Sequence, residues 1–186
     1  MKRSIVLAVI ALAFAATYGS AEIADSSASG FTYKMTINLQ AAPDVVYQRL
    51  INIGDWWDSD HTFSGDARNL SIDPHPMGCW CEKLPNGGGV RHMEVVMVMP
   101  GKTLVMNGGL GPLQSVAATG SMSFNLSPDQ GGTRLEITYA AVGYMSAGMN
   151  TWAAPVNDVL TLQFARFKNY VEKGDPAPKK TPGPGL

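Results

Sequence analysis

The sequence predicts an α+β domain in which a curved antiparallel sheet wraps around a long C-terminal helix, with a short helix pair after the first strand. Three observations carry this. Phe31 to Leu39 alternates apolar and polar residues with a period of two. Cys79 to Val142 reads as a run of strands broken only by short Gly- and Pro-containing turns. Trp152 to Glu172 carries apolar residues at helical spacing.

The chain opens on Lys2 and Arg3, followed by an apolar run from Ile5 to Ala16 and the small residues Gly19-Ser20-Ala21. That order predicts a secretory signal over residues 1–21; the run is too short to span a bilayer comfortably. No cysteine follows the cleavage site, which argues against a lipid anchor. The competing reading is an uncleaved membrane anchor. The expectation is export to a bacterial periplasm or beyond, with no stable membrane insertion after cleavage. Removing the signal leaves about 165 residues, enough for one domain with one core. It also takes the formal net charge from −1 to about −3, and with no basic patch nucleic acid is not an expected partner.

Residues 22–30 are small and polar and read as a flexible leader. In the first strand Phe31, Tyr33, Met35, Ile37 and Leu39 form the buried side. Pro43 opens a helix, where its missing N–H costs nothing. Val46, Leu50 and Ile53 form its apolar stripe, and Gly54 is expected to end it. Asp55 to Asp60 adds one helical turn bearing Trp56 and Trp57, and residues 61–76 read as loop with one short extended piece.

Strands are then expected over Cys79–Leu84, Val90–Met99, Lys102–Asn107, Gln114–Leu126 and Thr133–Val142. The last helix has Thr151 as its expected N-cap, Pro155 in its first turn and Gly174 as its stop. Gln163 is the one polar member of its buried stripe. It could bind a ligand or satisfy a backbone group. The end of the chain, residues 174–186, holds four prolines and reads as a disordered tail.

The richest stretch runs from Met77 to Val98. If Pro85 to Gly89 form an unpaired turn, Leu84 faces Val90, Glu82 faces His92 and Trp80 faces Glu94. Trp80, Glu82, His92 and Glu94 then share one face. Pointing inward, they put two carboxylates and an imidazole in an apolar interior, which calls for a partner. Pointing outward, they are an ordinary solvated patch. Cys79 and Cys81 flank Trp80 at the outer limit of disulfide reach on a regular strand. A bridge requires a bulge or strain there. An oxidising compartment favours a bridge and strand geometry opposes it; the reading taken is a pair of structural thiols. A lone C-x-C lacks the second pair a four-ligand metal site needs.

Several segments together resemble the START-like superfamily, also called SRPBCC or polyketide cyclase-like. Ile53-Gly54-Asp55-Trp56-Trp57 is similar to its helix-end segment, and Met77 to Glu82 to its glycine-led strand entry. Val96 to Leu104, with Pro100-Gly101-Lys102, is similar to its strand–turn–strand. An exported subgroup also carries the pattern seen here from Trp56 to Asp66, Trp-Trp-x-x-Asp-His-Thr-x-Ser-Gly-Asp. The resemblance covers about Phe31 to Lys173. It implies the helix-grip fold, with Trp80, Glu82, His92 and Glu94 facing a cavity and Cys79 and Cys81 facing out.

On this reading the protein binds an apolar or amphipathic small molecule between sheet and helix, with no cofactor. Trp57, Trp80, Met122, Tyr139 and Phe167 supply apolar wall. Glu82, His92, Glu94, His61 and Gln163 supply polar contacts. A second reading is a cyclase, dehydratase or hydrolase-like enzyme with His92 and Glu82 as an acid–base pair. A third is a protein-interaction module using the outer sheet face. A zinc held by two histidines and a glutamate ranks lower, because no local His–Glu spacing supports it. A purely structural Glu82–His92 hydrogen bond is the competing reading of the pair itself.

Overall fold

The computed structural model describes residues 21–177. Apart from Ala21, the expected signal peptide lies outside them, as does the Pro-rich segment beyond residue 177. No helix among the described residues is long and apolar enough to cross a membrane.

Eight strands form one antiparallel sheet: β1 (Ala21–Ser27), β2 (Gly30–Leu39), β3 (Leu70–Ile72), β4 (Cys79–Lys83), β5 (Gly89–Met99), β6 (Thr103–Asn107), β7 (Ala117–Asp129) and β8 (Gly132–Tyr144). Their spatial order is β1-β2-β8-β7-β6-β5-β4-β3, so β2 closes onto β8 while all later neighbours are sequential. Helix α1 (Pro43–Ile51) follows β2, and helix α2 (Ala153–Lys173) lies on the concave face.

The alternation that marks β2 is realised in full: Phe31, Tyr33, Met35, Ile37 and Leu39 are all buried. They meet Leu135, Ile137 and Tyr139 of β8, Met122 and Phe124 of β7, and Leu160, Phe164 and Phe167 of α2 in one core. Lys168 Nζ donates to Asn38 O at 3.2 Å, fixing α2 along β2. The Arg49 guanidinium of α1 donates to Tyr170 O, a carbonyl in the last turn of α2. Gly174, at φ 74°, closes that helix as expected.

Four expectations are corrected. The 22–30 leader is largely strand. β1 is an exposed edge strand held by backbone pairing to β2, so it needs no apolar face and shows none. Helix α1 ends at Ile51 rather than at Gly54. Gly54 sits instead in a short 3₁₀ turn, where a Cβ would lie 3.1 Å from Ala67 O and 3.2 Å from Leu70 O. Its role is therefore close approach between two turns. The strand expected from Gln114 begins only at Ala117, because Gly111 to Ser115 form a 3₁₀ turn. The N-cap of α2 is Trp152, with Thr151 in the 3₁₀ turn before it, bonding back to Gly148 O.

The β4–β5 hairpin is also re-registered. Glu82 pairs with Val90, Cys81 with Arg91, Trp80 with Met93 and Cys79 with Glu94, with an irregularity between Trp80 and Cys81. His92 is the extra residue of a β-bulge. Neighbouring residues on a regular strand face opposite ways, yet His92 and Met93 are both buried. The bulge is what turns both inward.

Cys79 and Cys81 form a disulfide, not free thiols, with Cα atoms 5.4 Å apart. A regular strand would separate them by about 6.6 Å. The irregularity beside Trp80 supplies the bend that a bridge of this spacing requires. The closed loop is only three residues long, so the bridge limits the unfolded chain weakly. Replacing both cysteines by alanine is expected to cost about 1–2 kcal/mol, measured by urea unfolding. A thiol assay on the denatured wild type should find no reactive thiol until a reductant is added.

Candidate functional site

Between the 57–63 loop, the 110–112 turn and the amino end of α2 lies a recess of about 290 Å³. Its walls are chiefly apolar. Trp57 and Phe63 come from the loop, Leu70 and Trp80 from β3 and β4, and Leu110 and Pro112 from the turn. Trp152, Pro155, Val156, Val159 and Leu160 come from α2 and its approach. The polar lining is Asp60, His61, Thr62 and His92.

Tryptophans build the floor. Trp56 Nε1 donates to Leu50 O at 3.3 Å, and Trp57 Nε1 to His61 O at 3.0 Å, which holds the loop against the end of α1. Trp57 and Trp80 pack edge to face, ring centroids 4.9 Å apart. Arg166 of α2 donates to Trp56 O at 3.1 Å and lies 3.6 Å from the Asp58 carboxylate, tying the same turn to the helix.

Behind this floor sits Glu82, buried, with its carboxylate fully engaged. Phe63 N donates to Oε2 at 3.2 Å, Ser64 N to Oε1 at 2.5 Å, and His92 Nε2 to Oε2 at 3.0 Å. Burial alone would raise the Glu82 pKa. The hydrogen bonds from Ser64, Phe63 and His92 outweigh it and hold the carboxyl below its ordinary value. His92 is moved the same way for a different reason. Burial disfavours its cation, and Glu82 offsets this only in part, so the ring stays neutral to a lower pH than usual.

The second ring nitrogen of His92 is also taken. Gln114 Nε2 lies 3.1 Å from Nδ1. A neutral ring that donates from Nε2 to a carboxylate accepts at Nδ1, so the Gln114 amide donates there. Phe63 stacks on the ring at 5.9 Å between centroids.

Gln163 of α2 is buried and satisfied. Its Oε1 accepts from Asp58 N at 2.8 Å, and its Nε2 lies 3.1 Å from His61 Nδ1. With the carbonyl end fixed by a backbone donor, the amide end donates to His61. The residue therefore positions the loop and its histidine, as its backbone-satisfying reading anticipates.

The structure thus brings together at the recess Trp57, His61, Trp80 and His92, with Glu82 behind His92 and Gln163 behind His61. It does not bring the others. Glu94 faces out, its side chain 39% exposed and paired to Arg91 at 2.6 Å, because the bulge at His92 flips the alternation. Met122, Tyr139 and Phe167 are fully buried core between sheet and helix. These side chains and Phe164 pack under the middle of α2, and the recess lies at its amino end. The sequence reading missed Gln114 and the walls at Phe63, Leu110 and Trp152. The clustered breakers Gly108-Gly109 and Gly111-Pro112 were the one signal that a turn, not a strand, carries Gln114 to His92. Among the described residues no group of three or more His, Cys, Asp or Glu side chains is gathered as for a metal ion.

No family model matches the sequence, and no curated protein matches it. Solved structures do. A conserved protein of unknown function from Enterococcus faecalis is similar over 89% of this chain and 84% of its own, at TM-score 0.60 and 16% identity. CalU16 from Micromonospora echinospora is similar over 86% of this chain and 88% of its own, at TM-score 0.56 and 14% identity. Aha1 from Colwellia psychrerythraea is similar over 77% of this chain and 97% of its own, at TM-score 0.53 and 19% identity. At such identities the likeness is one of fold, and the fold is the α+β helix grip: a curved eight-stranded antiparallel sheet holding a long C-terminal helix.

Proposed function

We propose that this protein is an exported small-molecule-binding protein that holds an apolar or amphipathic ligand in the recess at the amino end of α2. The observation that carries the proposal is the recess itself, about 290 Å³ walled by three tryptophans, a phenylalanine and aliphatic side chains. Concave apolar sites with few polar groups bury ligands well. Export rests on the amino-terminal pattern of basic, apolar and small residues, and on the Trp56–Asp66 resemblance to an exported subgroup. A disulfide at Cys79–Cys81 accords with an oxidising compartment.

The acid–base reading has less support. An imidazole that transfers protons needs one nitrogen free for the substrate. In His92 both are engaged by the protein, Nε2 by Glu82 and Nδ1 by Gln114. The pair instead anchors the loop that forms the mouth. The interaction reading rests on Val96, Met97 and Met99, exposed along β5, and nothing on that face indicates what would cover them.

Protein purified from its own compartment is expected to release an apolar molecule in native mass spectrometry. Val159→Trp, which fills the recess from α2, should lose that molecule and weaken binding of an added apolar probe at least tenfold, with an unchanged circular dichroism spectrum. Binding unaffected by this substitution would place the ligand elsewhere.

Stability should fall on acidification, and the sign follows from the two site groups. Each has its folded-state pKa below its ordinary value. Each therefore contributes stability that is complete above the unfolded-state value and lost as pH falls through the folded one. His92 acts first, below about pH 6.5, and Glu82 below the usual carboxylate range. His92→Gln keeps a donor toward Glu82 and removes the titrating ring. The melting-temperature advantage of wild type over this variant should therefore shrink between pH 7 and pH 5, as measured by calorimetry.

A further inference from the structure

Strand β4 serves two faces of the sheet. Its inward residues are Trp80 and Glu82, each 2% exposed. Trp80 lines the recess and packs against Trp57 and His92. Glu82 holds the amides of Phe63 and Ser64, which shape the loop at the mouth. Cys79 and Cys81 alternate with these two, so their bridge lies on the outer face. Both cysteines are half-buried there, and their cross-strand partners Glu94 and Arg91 form an exposed ion pair. A reductant in solvent meets the bridge from outside, while Trp80 and Glu82 beside it face the recess.

The bridge acts on shape more than on the unfolded chain. It closes only three residues, which removes little entropy from that chain. What it fixes is the span of β4. Its Cα atoms are 5.4 Å apart, against about 6.6 Å on a regular strand. Directly opposite, β5 carries His92 as an extra residue. A shortened span on one strand and an extra residue on its partner bend a hairpin the same way. Opening the bridge removes the first of these, and β4 is free to lengthen by about 1 Å next to Glu82. The contact from Phe63 N to Oε2, already 3.2 Å long, does not survive a displacement of that size.

We infer that the Cys79–Cys81 bridge is a redox-cleavable strap on the recess. Closed, it holds Glu82 where the loop amides meet the carboxylate. Opened by a dithiol, it slackens the loop at the mouth and weakens the hold on the guest. The reductant's two thiols balance the exchange. One attacks a bridge sulfur, breaking the S–S bond and forming a mixed disulfide, and the other displaces the second cysteine. The protein gains two electrons and two protons, and the reductant leaves as its disulfide. The effect on the guest rests on the reading of the recess as a binding site; the effect on the loop does not.

The test starts from oxidised protein treated with dithiothreitol in native buffer, with cleavage followed as a mass gain of two hydrogens. Amide hydrogen exchange is then read residue by residue by NMR. Phe63 and Ser64 should exchange about tenfold faster once the bridge is open, the loss of one hydrogen bond to a charged acceptor. Amides of β7, β8 and the middle of α2 should keep their rates. N-phenyl-1-naphthylamine, an uncharged apolar probe, should bind the reduced protein about tenfold more weakly. Cys79→Ser/Cys81→Ser should match the reduced protein with or without dithiothreitol, which ties both changes to the bridge. Unchanged exchange at Phe63 and Ser64 after full reduction overturns the inference. So does faster exchange throughout the sheet, which would make the bridge a brace of the whole fold. A bridge that dithiothreitol fails to open without denaturant overturns it as well, as does undiminished probe binding after reduction. Reduced wild type decides the matter even where the double variant does not fold. A probe that binds neither form overturns the binding-site reading alone, because the exchange rates are read without it.

Discussion

The arrangement at the open end of this fold depends on one buried carboxylate. Glu82 gathers the amides of Phe63 and Ser64 and the imidazole of His92. Two of those donors belong to the loop that rims the recess and the third to the central hairpin. A buried ionised group is tolerated only when fully coordinated. The loop must therefore take up the conformation that supplies its amides, or the carboxylate is left bare. The cost of burying the charge is what gives the loop a definite shape.

The β-bulge makes that coordination possible. On a regular strand His92 and Met93 would face opposite sides, and either the imidazole or the core side chain would be lost from the interior. One extra residue on β5 keeps both. It also turns Glu94 outward, where Arg91 pairs with it, so only one of the two hairpin carboxylates carries a burial cost. The Cys79–Cys81 bridge lies directly across from this irregularity and sets the short span of β4 opposite it.

Much of the fold was legible because burial writes a periodic pattern. β2 showed its five inward residues plainly, and α2 showed its stripe, with Gly174 as its end. Elements that do not depend on an apolar face were hidden. β1 pairs with β2 through its backbone and leaves Glu22 to Ser27 exposed, so that stretch looked like a leader. The hairpin register was missed because Gly87-Gly88-Gly89 carries no side chain to mark where pairing begins. Of the site, alternation put Trp80, Glu82 and His92 on one shared face, and only the family resemblance gave that face as inward. Gln114 was not, since its contact depends on a 3₁₀ turn whose path no pattern records. The capacity of the interior was also overestimated: Met122, Tyr139 and Phe167 are apolar enough to line a hollow, and only their packing shows that they fill it.

Confining the opening to one end of α2 separates two burdens that a fully hollow domain would have to carry together. The sheet, the middle of the helix and its carboxyl end form a solid body whose cohesion owes nothing to an occupant. The amino end, with its loop and turn, can be recut by substitution at Val156, Val159 or Leu110 without loosening that body. A scaffold divided in this way can vary the lining of its recess over evolutionary time while its packed core is kept.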